Sequence, residues 1–257
     1  MAGRSRGPLD RLVQRAAALR WQRAAADARE ASLDDLRRDR SAARRMKRHL
    51  DAFLHVAEGR LALPAIGTQA FPRPHDTDWA WRPEAWCGPL AVPGIAAAPS
   101  KAPLGDEATL FHDCRVSEVT MRQVRNTRAA DLAPFGLRLD VFRFDGTYLS
   151  LAVDLPPAAA LGLQRRHLIR LESIVEMERP IAIFARLNIK HGPNVEQLVR
   201  ELPLGQDETR IEFDLAYTKL NEKRVEKLWC DLIFEGPQMN QVILRDLTFS
   251  RRPRADL

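Results

Sequence analysis

Two strand-like segments carry the residue types that could recognise a ligand. In Ile181–Ile189, the residues Ile181, Ile183, Ala185, Leu187 and Ile189 alternate with Phe184, Arg186 and Asn188. In Leu228–Phe234, Trp229 and Asp231 alternate with Leu228, Cys230, Leu232 and Phe234. Each strand therefore has an apolar face and a face mixing aromatic rings with Arg, Asn or Asp. A face of this kind suits a sugar. An aromatic ring stacks on the C–H face of a pyranose, and planar polar groups take its vicinal hydroxyls. Trp229 is the candidate stacking ring; Arg186, Asn188 and Asp231 are the candidate hydroxyl contacts. A solvated sheet face shows the same pattern, with Arg186 pairing an Asp on the next strand. Both readings stay open.

No catalytic residues are assigned. GxxxxGK[ST], GxSxG, HExxH and GxGxxG are all absent. Asp214 and Asp231 are the carboxylates a polysaccharide hydrolase would have to bring face to face across a groove. His112, Cys114 and Cys87 form a thin set of metal-ligand types without the usual Cys pairs, and buried strand residues explain them equally well. We therefore predict neither metal nor cofactor. His191-Gly192-Pro193-Asn194 and Glu235-Gly236-Pro237 read as turns.

The elements that must position these residues follow from periodicity. Helical spacing covers residues 8–60. Pro8 suits a first turn, and Ser32 with Asp35 reads as a capping box opening a second helix. That helix repeats Leu36, Ala43, Leu50 and Ala57 seven apart, with arginines on its other faces, and Gly59 and Pro64 are expected to end it. Residues 62–108 are Pro-rich and read as a connector, except for Asp78–Trp86. That island holds three of the chain's five tryptophans and is expected to dock as an ordered lash. From about residue 109 the period is two. Phe111–Val124, Leu137–Phe144, Leu149–Leu155, Leu168–Met177, Ile211–Tyr217 and Val242–Ser250 join the two segments above as strands. Asp145-Gly146 suggests a hairpin between the second and third of these. Gln197–Leu202 and Thr218–Glu226 read as helical turns.

These readings give a mainly β fold in three parts. Residues 1–61 form a basic amphipathic helical arm, 62–108 a connector, and 109–257 a jelly-roll-like β-sandwich.

Charge is uneven along the 257 residues. Residues 1–60 hold 15 Lys and Arg against 8 Asp and Glu, and the remainder holds 25 against 26. The basic arm has three readings: packing on the body, self-association or docking of a protein partner through the seven-residue stripe, and attraction to anionic lipid or nucleic acid. The interleaved Asp34, Asp35, Asp39 and Asp51 weigh against nucleic acid. Three widely spaced cysteines point to a reducing compartment. No secretory signal and no apolar run long enough for a transmembrane helix is present, so a cytoplasmic or membrane-peripheral location is expected.

The strings DWAWRPEAW, LFHDCRVSEVTMRQVRN, FRFDGTYLSLAVDLP, ARLNIKHGPN, EFDLAY and LWCDLIFEGPQMNQVILRDLTFSRRPRA resemble an uncharacterised alphaproteobacterial family, a domain of unknown function. The resemblance runs from Leu33 to Ala255 and implies no activity and no catalytic residues. Residues 109–251 are also similar in pattern to galactose-binding-like jelly rolls, through the closing strand Val242–Phe249 and FDGTYLSLAVDLP. That likeness implies non-catalytic ligand binding. A binding module for a glycan or polysaccharide is the leading expectation. A structural or adaptor protein acting through its helical arm is the alternative.

Overall fold

The computed structural model describes residues 8–62, 71–128, 131–204 and 208–254. Helix α1 spans Pro8–Asp27 and α2 Leu33–Ala62. Then come β1 (Trp79–Trp81), α3 (Glu84–Cys87), β2 (Gly94–Ile95), β3 (Ala102–Leu104), β4 (Ala108–His112) and β5 (Val119–Arg125). β6 (Phe135–Val141), β7 (Leu149–Asp154), α4 (Pro157–Ala160), β8 (His167–Met177) and β9 (Ile183–His191) follow. The chain closes with β10 (Asn194–Glu201), β11 (Thr209–Asp214), β12 (Val225–Phe234) and β13 (Asn240–Pro253).

The fold is mainly β, with helices at its N-terminal end. All strand pairs are antiparallel and form two sheets. The first sheet has the order β11-β8-β13-β6-β5-β2, with β1 also paired to β13; the second has the order β10-β9-β12-β7-β4-β3. Alternation explains the sandwich. Leu110, Leu151, Leu187 and Leu232 of the second sheet and Leu139, Leu171, Leu244 and Phe249 of the first are almost completely buried in one core. Each further pair of inward Leu or Phe side chains adds about 2–3 kcal/mol per side chain of burial to this arrangement.

Residues 1–52 and 53–257 are separate compact units. In the first, Ser32 caps α2 as its sequence predicts: its Oγ accepts from Asp35 N at 3.2 Å and donates to the Asp35 carboxylate at 2.7 Å. Gly59 does not end α2, which runs on to Ala62. It serves close approach instead: a Cβ there would overlap the Cys87 carbonyl, and one on Gly88 would overlap that of His55. Pro64 lies outside the described residues.

The tryptophan island is ordered. Trp86 is fully buried and its indole N–H donates to the Leu244 carbonyl at 2.9 Å. Trp81 packs on Phe249 with ring centroids 6.0 Å apart. Arg82 donates through Nε and Nη2 to both carboxylate oxygens of Asp246, at 2.9 and 2.8 Å, and both residues are buried. Burial pushes the Asp246 carboxyl up, against the pull of the Arg82 guanidinium. Beyond the island, residues 94–95 and 102–104 supply β2 and β3, one to each sheet.

Three local expectations are corrected. Leu137–Phe144 and Leu149–Leu155 are not a hairpin, because β6 and β7 lie in different sheets. The intervening loop is held by Asp113, whose carboxylate accepts from Thr147 N and Thr147 Oγ1, both at 2.6 Å, and from Tyr148 N at 3.2 Å. These bonds hold the Asp113 carboxyl below its usual range. Phe111–Val124 is two strands, β4 and β5, again in different sheets. Gln197–Leu202 is not a helical turn but belongs to β10, an edge strand whose mostly exposed faces hide the period of two. The stretch Thr218–Glu226 holds one short 3-10 turn at Glu222–Arg224.

Candidate functional site

The four predicted site residues meet on the outward face of the second sheet. Register places Asn188 opposite Trp229 and Arg186 opposite Asp231 on β9 and β12. Asp231 Oδ2 accepts from Arg186 Nε at 3.0 Å, Arg186 Nη2 at 2.8 Å and Asn188 Nδ2 at 2.9 Å. The cross-strand ion pair that the pattern also allowed is therefore present. It does not consume both partners. Arg186 Nη1 and Asp231 Oδ1 have no hydrogen-bond partner among the described residues.

Asn188 has a different position from the other three. It is 1% exposed. Its Nδ2 donates to Asp231 and to the Arg186 carbonyl, and its Oδ1 accepts from Gln197 Nε2 at 2.9 Å. It fixes the Arg–Asp pair from below and does not reach the surface.

Trp229 is half-buried. Lys227 Nζ lies 5.7 Å from its ring centroid and is tied to Asp154 at 2.8 Å. The Trp229 indole N–H donates to no protein group among the described residues. Beside it, β7 and β4 add Ala152 opposite Asp231, Thr109 opposite Ala152, and Phe111 opposite Ser150. The result is an open groove of ≈ 580 Å³. Three rings line it: Trp229, Phe111 and Tyr148. Arg186 and Asp231 contribute polar groups to the same groove. Sequence reasoning missed Phe111 and Tyr148. Their signal was alternation against Leu110 and Leu149, but the pairing of β4 with β7 that brings them together is nonlocal.

Other candidate chemistry disperses. Asp214 lies in the first sheet, where it accepts from Ala216 N at 2.9 Å and faces Arg254 at 3.3 Å. Asp231 lies in the second, so the two are not a facing carboxylate pair. His112 uses both ring nitrogens on backbone: Nδ1 accepts from Cys114 N at 3.1 Å, which leaves Nε2 to donate to the Ala98 carbonyl at 2.8 Å. Among the described residues no cluster of three His, Cys, Asp or Glu could hold a metal. Burial pushes the Cys87 thiol up to about 11, which favours the protonated thiol at neutral pH. A smaller pocket of ≈ 240 Å³ lies beside Asp246, but its one ring, Phe71, is already covered by the Arg82 guanidinium at 4.8 Å.

The fold and the groove define an antiparallel β-sandwich with an aromatic-lined recess on one outward sheet face. A family model covers residues 1–257, and the chain belongs to that family, described as a family of unknown function (DUF6478). No curated protein matches the chain. Among solved structures, it is similar to the family 11 carbohydrate-binding module from Clostridium thermocellum in complex with a β-1,3-1,4-mixed-linked tetrasaccharide. That match covers 64% of this chain and 99% of the module, at 9% identity and a TM-score of 0.39. The C-terminal family 22 carbohydrate-binding module of Clostridium thermocellum Xyn10B aligns over 73% of this chain and 100% of its own, at 7% identity and a TM-score of 0.37. The enzymatically active domain of tailspike protein 4 from bacteriophage CBA120 aligns over 60% of this chain at 8% identity and a TM-score of 0.41; the chain spans only 21% of its length.

Proposed function

We propose that the chain is a non-catalytic binding module for a glycan, which it holds in the groove of the second sheet. One observation carries the reading: Trp229, Phe111 and Tyr148 share an open recess with an Arg–Asp pair that keeps an unused donor and an unused acceptor. The rings take the C–H faces of successive sugar units. Arg186 Nη1 and Asp231 Oδ1 take hydroxyls, and the ion pair behind them fixes their direction before the ligand arrives. Asn188 is a positioning residue in this reading. The groove is open, which suits a chain that runs through it better than a small molecule that must be enclosed.

The test is a glycan array probed with the full chain, with Trp229→Ala as the paired control and circular dichroism to verify its fold. Binding that disappears in the control supports the reading. Binding that survives in Trp229→Ala, or no glycan binding by a folded chain, sinks it.

A further inference from the structure

The α1–α2 hairpin poses a separate problem. Of residues 12–52, not one side chain is buried. The helices meet near their connecting turn, where Trp21, Ala24, Leu36 and Ala43 are half-buried. Along their length they also present bare apolar surface: Leu12, Val13 and Leu19 from α1, and Met46 and Leu50 from α2, are 45–69% exposed. Helices in proteins draw most of their stability from packing an apolar face, and this hairpin buries no side chain fully.

Charge narrows what could cover that surface. Residues 8–52 hold 12 Lys and Arg against 7 Asp and Glu, a net of +5. Arg37, Arg38 and Lys47 are neutralised within α2 by Asp34, Asp35 and Asp51. Arg40, Arg44, Arg45 and Arg48, with Arg15 and Arg23 of α1, form no ion pair among the described residues. A second copy would bring another five positive charges against the first. Nucleic acid would answer the arginines and leave the apolar side chains in water. An anionic lipid surface answers both, because it takes apolar side chains at the acyl boundary and arginines among its headgroups. No helix among the described residues is long and apolar enough to cross a membrane, so the hairpin would lie on the surface.

We propose that the α1–α2 hairpin is an interfacial anchor that seats on an anionic lipid surface through Leu12, Leu19, Met46 and Leu50, with the unpaired arginines holding phosphate headgroups. The proposal is independent of the glycan reading. Its test is co-flotation of the full chain with vesicles of phosphatidylcholine alone or with added phosphatidylglycerol. The chain is expected on the mixed vesicles only, and to come off as salt is raised. The triple variant Arg44→Gln, Arg45→Gln, Arg48→Gln is expected to partition about 100-fold more weakly, about fivefold for each arginine. Met46→Ser with Leu50→Ser, which keeps every charge, should also release it. Circular dichroism of both variants establishes that the helices persist. Equal binding to neutral vesicles, or no binding to either, overturns the proposal. So does a stable dimer in light scattering that fails to bind vesicles, or displacement from vesicles by an equal charge of duplex DNA.

Discussion

The outward faces of the two sheets are built from the same alternating pattern and end up with different company. On the first sheet, charged side chains find opposite charges on other strands of the same face. Arg170 and Arg252 share Glu212 at 2.7 and 3.2 Å, Arg210 holds Glu172 at 2.8 Å, and Arg245 holds Glu176 at 2.8 Å. Burial pushes Glu212 up, but hydrogen bonds from Arg170 and Arg252 outweigh it and hold the carboxyl below its usual range. On the second sheet, rings stand between the charges and the Arg186–Asp231 pair keeps free edges. A polar residue on a strand is thus no sign of a site. What distinguishes the second face is hydrogen-bonding capacity left over beside exposed aromatic surface.

The sharpest way to break the contrast is to remove a partner where charge is buried. Asp246→Ala strands the Arg82 guanidinium in the interior, where one Nη is already without a partner among the described residues. It should cost about 3–5 kcal/mol in denaturant unfolding, because a lone buried charge keeps its desolvation penalty. A loss under about 1 kcal/mol would mean that water reaches the pair. Trp229→Ala comes next. It should weaken glycan binding at least about tenfold, or about 1.4 kcal/mol. Arg210→Ala on the opposite face should leave binding unchanged; if both variants lose binding alike, the two faces do not differ in function.

Glu107 supplies a pH signature. Burial pushes its carboxyl up to about 7, from a usual value near 4.5, although Glu84 N donates to it at 2.7 Å. A raised folded pKa means that the folded chain holds the proton longer than the unfolded chain does. The contribution to stability is full below about 4.5 and is lost as pH rises through about 7. Thermal midpoints of the wild type should therefore fall over that window relative to Glu107→Gln, and parallel curves would refute the assignment. The smallest effect belongs to the exposed lattice: Arg210→Ala should cost less than about 1 kcal/mol of stability, since solvent screens such pairs.

Much of this was legible in the residues. Ile181–Ile189 and Leu228–Phe234 alternate cleanly because one side of each strand packs into the core; that put Arg186 with Asn188 and Trp229 with Asp231 on the outward sides of their strands, while the pairing of β9 with β12 that joins the two couples is nonlocal. The unread part was nonlocal. Asp145-Gly146 looked like a hairpin turn, yet the loop crosses from one sheet to the other under the hold of Asp113. With that misreading, Phe111 and Tyr148 had no route to Trp229. Asn188 illustrates a finer limit: alternation gives its side of the sheet, but only the neighbours Gln197 and Asp231 reveal that its amide is used up.

The last described strand, β13, pairs with β6, β8 and β1 and receives Trp86 and Arg82 of the lash. Arg82 and Asp246 are 164 residues apart in the chain. A ribosome therefore makes the lash long before the strand that it docks on. Until β13 is made, Trp86 lacks the Leu244 carbonyl to which it donates, and β6 and β8 each lack a strand partner. Contacts so distant in sequence close slowly and late. The sandwich therefore cannot seal before residues 240–253 have been made, and incompletely closed sheets of this kind are the species most open to misassembly.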